Sequence, residues 1–225
     1  MISSEARLCW DRWFRDQAQT PWWCDAKAGT GVKQVQHAAI RAGDQLNQRR
    51  LSRGMRPRPV RALTLGFPNV GKSALINRLV RQKVVDSARR AGVTRTLRWV
   101  RLGQDLDLLD APGVLPPRLD DQQAALHLAL CDDIGQAAYD VELVALAFLK
   151  LLSSLEKQAA AGVVSGILGQ RYGINLAGDT AEAHAWLMAV AERHTSGDTE
   201  RMAQRLLDDF RRELLGHISL ELPLS

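Results

Sequence analysis

The 225-residue sequence predicts an α/β domain built round a phosphate-binding loop, followed by a smaller helical domain. Three observations predict it. Gly66-Phe67-Pro68-Asn69-Val70-Gly71-Lys72-Ser73 has the spacing GxxxxGK[ST] between a strand pattern and a helix pattern. Asp110-Ala111-Pro112-Gly113 closes a second apolar strand, 38 residues after Lys72. Beyond Pro116-Pro117 the apolar spacing is helical as far as Gly216, so the division is placed at 119/120.

Each element follows from local pattern. Residues 5–17 read as an amphipathic helix with Leu8, Trp10, Trp13 and Phe14 available for burial, broken by Thr20-Pro21. Trp22-Trp23-Cys24 reads as a short strand, Asp25 to Gly31 as a loop, and Val32 to about Asn47 as a helix. Arg49 to Arg61 holds six Arg, two Pro and no acid, the composition of an extended basic linker. Val60 to Leu65 is a strand running into the glycine-rich loop, and Leu75, Ile76, Leu79 and Val80 continue it as a helix. Residues 83–96 are polar and irregular. Leu97–Leu102 and Leu106–Leu109 are strands joined at Gly103-Gln104, and His217–Leu222 is expected as a closing strand.

The loop's chemistry follows from its residue types. Glycines 66 and 71 permit the backbone angles that aim successive N–H groups at phosphate oxygens. A helix starting near Lys72 adds its positive dipole end. The Lys72 ammonium suits the β- and γ-phosphates, and the Ser73 hydroxyl suits Mg²⁺. Asp110 at a strand end can hold the same Mg²⁺ through a water, Gly113 can offer its N–H to the γ-phosphate, and Thr94 can reach the metal when its loop closes.

Composition narrows the class. No apolar run reaches the roughly 18 residues of a membrane span, and the N-terminus has no signal-peptide core. Cys9, Cys24 and Cys131 form neither a disulfide framework nor a metal pair, and read as scattered core thiols of a cytoplasmic protein. The five His make no metal-ligand spacing. Residues 1–119 hold 22 basic and 9 acidic residues, against 8 and 16 in residues 120–225. The basic half, with one Arg cluster over 49–61 and another over 78–101, suits a polyanion. The acidic half suits protein contacts. Its apolar positions Met202, Leu206, Phe210 and Leu214 suit internal packing.

In these motifs the chain resembles the circularly permuted YlqF/RbgA ribosome-biogenesis GTPases. Gly66–Ser73 matches the family's first motif, Ala91-Gly92-Val93-Thr94 resembles its second with Ala91 for the usual proline, and Asp110–Gly113 resembles its third. Asp25-Ala26-Lys27-Ala28-Gly29-Thr30-Gly31 resembles its fifth, S-A-K-x-G-x-G, placed before the phosphate loop instead of after it. Asp198-Thr199-Glu200 through Leu215–Glu221 resembles its C-terminal helical domain, so the likeness covers essentially the whole chain.

The resemblance implies a circularly permuted P-loop GTPase domain over 1–119, incomplete at its N-terminus, and a helical C-terminal domain over 120–225. It implies GTP and GDP contacts from Asn69, Val70, Gly71, Lys72, Ser73, Ala74, Gly113, Ala26 and Lys27. Lys72 and Thr94 would serve catalysis. Ser73, Thr94 and, through water, Asp110 would hold Mg²⁺, and Asn69 would take K⁺. The implied activity is hydrolysis of the β–γ phosphoanhydride of GTP during assembly of the large ribosomal subunit. The implied partners are ribosomal RNA and ribosomal proteins in the cytoplasm, with no membrane or DNA partner.

Two departures stand out. The guanine-reading N-K-x-D motif occurs nowhere in the 225 residues, and residues 1–17 resemble the helix that follows it. Met1 then stands just past that motif, as expected for an internal start or a shortened N-terminus, with about sixty residues preceding it on usual βα unit lengths. Val114 follows Gly113 where many small GTPases place the Gln that orients the attacking water. The family resembles this chain there and is thought to use a histidine from its N-terminal segment. Two further readings therefore stand beside the GTPase one: a nucleotide-unspecific P-loop NTPase and a non-catalytic rRNA-binding remnant.

Overall fold

The computed structural model describes residues 2–81, 97–116, 118–158, 166–176 and 180–223. Contacts divide the chain into two units, Trp22–Arg118 and a second made of the residues up to Pro21 with those from Leu119 onward. This grouping differs from the 119/120 sequence division over the first helix.

In the first unit, helices α2 (Val32–Ala42) and α3 (Asp44–Leu51) precede strand β1 (Val60–Thr64), then helix α4 (Lys72–Val80) and strands β2 (Arg98–Leu102) and β3 (Leu106–Asp110). The sheet order is β1-β3-β2. β1 runs parallel to β3 with Thr64 opposite Asp110, and β2 runs antiparallel to β3 with Arg98 opposite Asp110. Alternation along the strands sends Val100, Leu102, Leu106 and Leu108 to one face, where they form a core with Ile76 of α4, flanked by Ala39 and Ile40 of α2. Trp99 and Leu63 lie on the other face and are exposed.

Three expectations for this unit are corrected. Residues 22–24 form no strand, since they pair with no described neighbour. The single helix from Val32 is two helices parted at Gly43, where an added Cβ would run into the Val60 side chain. The basic linker is tied down rather than simply extended. Asn47 brackets Arg58, donating to its carbonyl at 3.0 Å and accepting its N–H at 3.1 Å, and Arg50 Nε donates to the Arg56 carbonyl at 3.0 Å.

The second unit is helical: α1 (Ser4–Asp16), α5 (Gln122–Leu130), α6 (Val141–Leu155), α7 (Ile167–Tyr172), α8 (Thr180–Thr195) and α9 (Thr199–Arg211). Ser3, Asp121, Asp140 and Asp198 cap α1, α5, α6 and α9 through their side chains. Phe148, Leu149, Leu187, Val190, Met202, Leu206 and Leu207 are fully buried where α6, α8 and α9 meet. Ser3 joins this unit by donating its N–H to Ser219 Oγ at 3.4 Å, and Ala6 is buried.

Here too the sequence reading needs correction. His217–Leu222 is not a strand but an unpaired stretch whose Ile218, Leu220 and Leu222 lie on the helical core. Leu214 is exposed and Leu215 is buried, because Glu213 takes φ 63° and resets the phase after α9. Leu8 is also exposed, while Trp10, Trp13 and Phe14 stack on one another at 5.0–6.1 Å. Cys24 and Cys131 are exposed rather than core thiols. No helix among the described residues is long and apolar enough to cross a membrane.

Candidate nucleotide site

The loop between β1 and α4 has the backbone its residue types require. Asn69 at φ 60° and Gly71 at φ 95°, ψ 12° lie in the left-handed region, which turns the chain so that the first turn of α4 opens toward the loop. Gly71 is the N-cap of α4 and makes no side-chain hydrogen bond to it, whereas Asp121, Asp140 and Asp198 cap α5, α6 and α9 through their side chains. That is the geometry of an anion cradle. Lys72 folds back across the loop and donates to the carbonyl oxygens of Phe67 at 2.6 Å and Gly66 at 3.1 Å.

The third motif meets this loop from β3. Val114 N–H donates to the Gly66 carbonyl at 3.2 Å. Gly113 packs directly on the backbone of Pro68. Asp110, the last residue of β3, is 1% exposed, and neither of its carboxylate oxygens has a hydrogen-bond partner. Burial pushes its carboxyl above the ordinary range, and the Lys72 ammonium draws it back only in part. The Thr64 hydroxyl, opposite Asp110 on β1, is likewise buried and unsatisfied. A buried, unpaired carboxylate beside a phosphate cradle fits a divalent cation: Asp110 supplies the charge and Ser73 the hydroxyl. No group of three His, Cys, Asp or Glu gathers for a metal among the described residues, so the fit is to a metal that takes its remaining ligands from phosphate and water.

The fifth-motif loop is preformed. Asp25 Oδ1 accepts the N–H groups of Lys27 at 2.7 Å and Ala28 at 2.9 Å, and Asp25 N–H donates to Thr30 at 2.8 Å. The Ala28 bond, with the Lys27 bond beside it, holds the Asp25 carboxyl below its ordinary value. Gly31, at φ 75°, lies where a Cβ would strike the Trp23 carbonyl oxygen. Arg78 of α4 donates to the Ala28 carbonyl at 2.8 Å and fastens this loop to the helix that begins at the phosphate loop.

The structure thus brings Asn69 to Ala74, Asp110 and Gly113 to one end of the sheet, and ties the Ala26-Lys27 loop to the same α4 helix. Thr94, with Ala91-Gly92-Val93, lies outside the described residues. Sequence reasoning missed Arg78 as the brace of the fifth-motif loop and Asp25 as its turn-former. An Asp two and three residues before loop amides is the signal that could have found the second. Nothing local in the sequence marks the first.

A family model described as 50S ribosome-binding GTPase matches residues 61–160. Ribosome biogenesis GTPase A of Bacillus licheniformis is 31% identical over 203 residues, covering 87% of this chain and 68% of that protein. The chain belongs to the ribosome biogenesis GTPase A family. Its Bacillus cereus member is 34% identical over 143 residues, 64% of this chain and 48% of that protein. The Priestia megaterium member is 34% identical over 167 residues, 74% of this chain and 55% of that protein. The chain therefore spans about half the length of these two members. GNP-bound YlqF from T. maritima shares the fold at a TM-score of 0.50 and 18% identity, covering 100% of this chain and 78% of that one. A GDP-bound YlqF gives 0.51 and 19% over 99% and 79%.

Proposed function

We propose that this chain binds and hydrolyses GTP with Mg²⁺ and acts in the cytoplasm in assembly of the large ribosomal subunit. The observation that carries the reading is the unpartnered Asp110 carboxylate, buried beside Lys72 at the mouth of the phosphate loop. Mg²⁺, when bound, supplies charge for the β–γ bridge. The chain's own residues do the rest: α4 amides and Lys72 hold the phosphates, Ser73 and Asp110 orient the metal, and Gly113 offers its N–H to the γ-phosphate. Thr94 would join Ser73 and, through water, Asp110 in holding Mg²⁺, the GTP form would grip ribosomal RNA and proteins, and hydrolysis would release them.

Titration with a fluorescent GTP analogue tests the site. Lys72→Ala and Asp110→Asn should each weaken Mg²⁺-dependent binding at least tenfold without unfolding the chain, and normal binding by both would refute the assignment. Co-sedimentation tests the partner: large-subunit particles should retain the chain with a non-hydrolysable GTP analogue and lose it steeply with salt. Asn69 is further proposed to take K⁺ near the β–γ bridge, so K⁺ should accelerate hydrolysis more than Na⁺.

A second reading, a nucleotide-unspecific P-loop NTPase, is favoured by one fact: no N-K-x-D motif occurs in the 225 residues.

A further inference from the structure

A groove of about 980 Å³ runs between α2 and α4 in the first unit. From α2 it is lined by Lys33, Gln36 and His37, and from α4 by Asn77, Arg78 and Arg81. The spacing explains the lining: positions 33, 36 and 37 fall on one helical face, and 77, 78 and 81 on another. Every ionisable group among its described lining residues is a cation or a histidine, with no carboxylate to oppose them. Lys33, His37, Arg78 and Arg81 are all exposed, and Arg78 is anchored by its bond to the Ala28 carbonyl. Gln36 and Asn77 place amides, which can donate as well as accept, between the charges.

The sheet sharpens this choice. In sequence, the Arg residues from 78 to 101 form one run. In the structure β2 sends Val100 and Leu102 inward toward α4, so Arg101 lies on the opposite face of the sheet. Arg61 is occupied in stacking on Trp99 at 5.4 Å. Among the described residues, Arg101 therefore lies on a different surface from Arg78 and Arg81, which line the concave α2–α4 groove.

We infer that the α2–α4 groove binds the phosphodiester backbone of single-stranded RNA. A channel of this size exceeds what one inorganic phosphate needs and suits a short run of nucleotides. Arg forks and a Lys point charge with no carboxylate between them match a repeating anion. The inference rests on the ribosomal RNA reading above and names the surface that serves it. The groove also reaches the nucleotide site. Ala26 and Gly29 of the fifth-motif loop and Ala74 of α4 line one end, and Arg78 spans the two by its bond to Ala28.

The test is anisotropy of a fluorescein-labelled 12-nucleotide oligo-uridine RNA with the 225-residue chain over a salt series. The double variant Lys33→Ala/Arg81→Ala spares Arg78 and so leaves the loop brace intact. It should bind RNA about tenfold more weakly and lower the slope of log affinity against log salt by about 1.4, at roughly 0.7 per phosphate contact. Arg56→Ala/Arg58→Ala, on the segment before β1, is the comparison and should retain most affinity. Nucleotide binding and melting temperature should be unchanged in the groove variant, since its side chains are exposed. If wild-type chain binds RNA and the groove variant matches it in affinity and slope, the groove assignment is overturned while the RNA reading stands. If wild-type chain binds no RNA, both fall. If a poly-glutamate peptide competes as well as RNA does, the groove is a site for an acidic protein segment and the inference is overturned.

Discussion

Gly113 sits so close to Pro68 that a Cβ on it would lie 2.5 Å from both the nitrogen and the Cα of Pro68. The third motif therefore touches the phosphate loop backbone to backbone, where neither side can yield by a rotamer change. Together with the Val114–Gly66 hydrogen bond, this contact fixes the height at which Gly113 faces the loop.

Gly113→Ala should accordingly act on the loop before it acts on the fold. The methyl must displace Pro68, an overpacking cost of about 1–3 kcal/mol. We expect binding of a fluorescent GTP analogue to weaken by roughly tenfold or more, tenfold being about 1.4 kcal/mol, with circular dichroism unchanged. Unaltered affinity would show that the loop moves freely past the third motif.

Asp110→Asn should separate stability from binding. Burial raises the folded-state pKa of Asp110, so its ionised form opposes folding. The penalty is absent below the ordinary carboxylate value of about 3.9, grows as pH rises to the raised value, and persists above it. Without nucleotide and Mg²⁺, the variant should be the more stable at pH 7 by about 1 kcal/mol, and the gap should close toward pH 3. It should also lose the stabilisation that Mg²⁺ and GTP give the wild-type chain. Urea melts at the two pH values decide it. A variant weaker than wild type at pH 7 would mean that Asp110 has a structural partner.

What could be read in advance divides along physical lines. The phosphate loop was legible because phosphate binding constrains residue type directly: Gly71 must take a left-handed angle, and Lys72 and Ser73 must follow it. The Asp25–Gly31 loop was legible for the same reason at Gly31. Pairing was not. Trp22-Trp23-Cys24 and His217–Leu222 have strand composition, but a strand needs a neighbour, and no local window contains one. The break at Gly43 depends on Val60, seventeen positions away, and the Leu214–Leu215 exchange depends on one residue's φ. Burial of Asp110 without a hydrogen-bond partner, and the placement of Arg101 on a different surface from Arg78 and Arg81, are tertiary facts that no spacing encodes.

In the helical unit, Asp209 of α9 is 5% exposed and accepts the Tyr172 hydroxyl and Arg171 Nε, each at 2.8 Å. Burial alone would raise its carboxyl, but these two hydrogen bonds, together with the charges of Arg171 and Arg205, outweigh burial and hold it below the ordinary value. Its contribution is therefore complete above the ordinary carboxylate pKa and is lost as pH falls through the folded value. Asp209→Asn should cost about 2–3 kcal/mol at pH 7, and little at pH 2. Tyr172→Phe should cost about 1 kcal/mol. Denaturant melts followed by far-ultraviolet circular dichroism measure both, and a pH-independent loss for Asp209→Asn would point to shape rather than charge.

The base that the site accepts depends on what can read the guanine edge. A guanine-reading Asp accepts bonds from the ring N1–H and the exocyclic amine, a pair of donors that adenine lacks. The 225 residues contain no N-K-x-D to supply it. The fifth-motif loop can offer amides to guanine O6, yet its Lys27 and Ala28 N–H groups already serve the Asp25 carboxylate and its Gly29 N–H serves the Asp25 carbonyl. Ala26 N–H is outside that network, and one amide bond contributes only about 1 kcal/mol. Phosphate contacts through α4, Lys72 and Gly113 are the same for both nucleotides. The 225-residue chain should therefore prefer GTP over ATP by no more than about tenfold, a factor worth about 1.4 kcal/mol. Competition of ATP against a bound fluorescent GTP analogue, with Mg²⁺ present, measures the ratio. A preference above a hundredfold in the short chain would place guanine recognition in the Asp25–Gly31 loop itself.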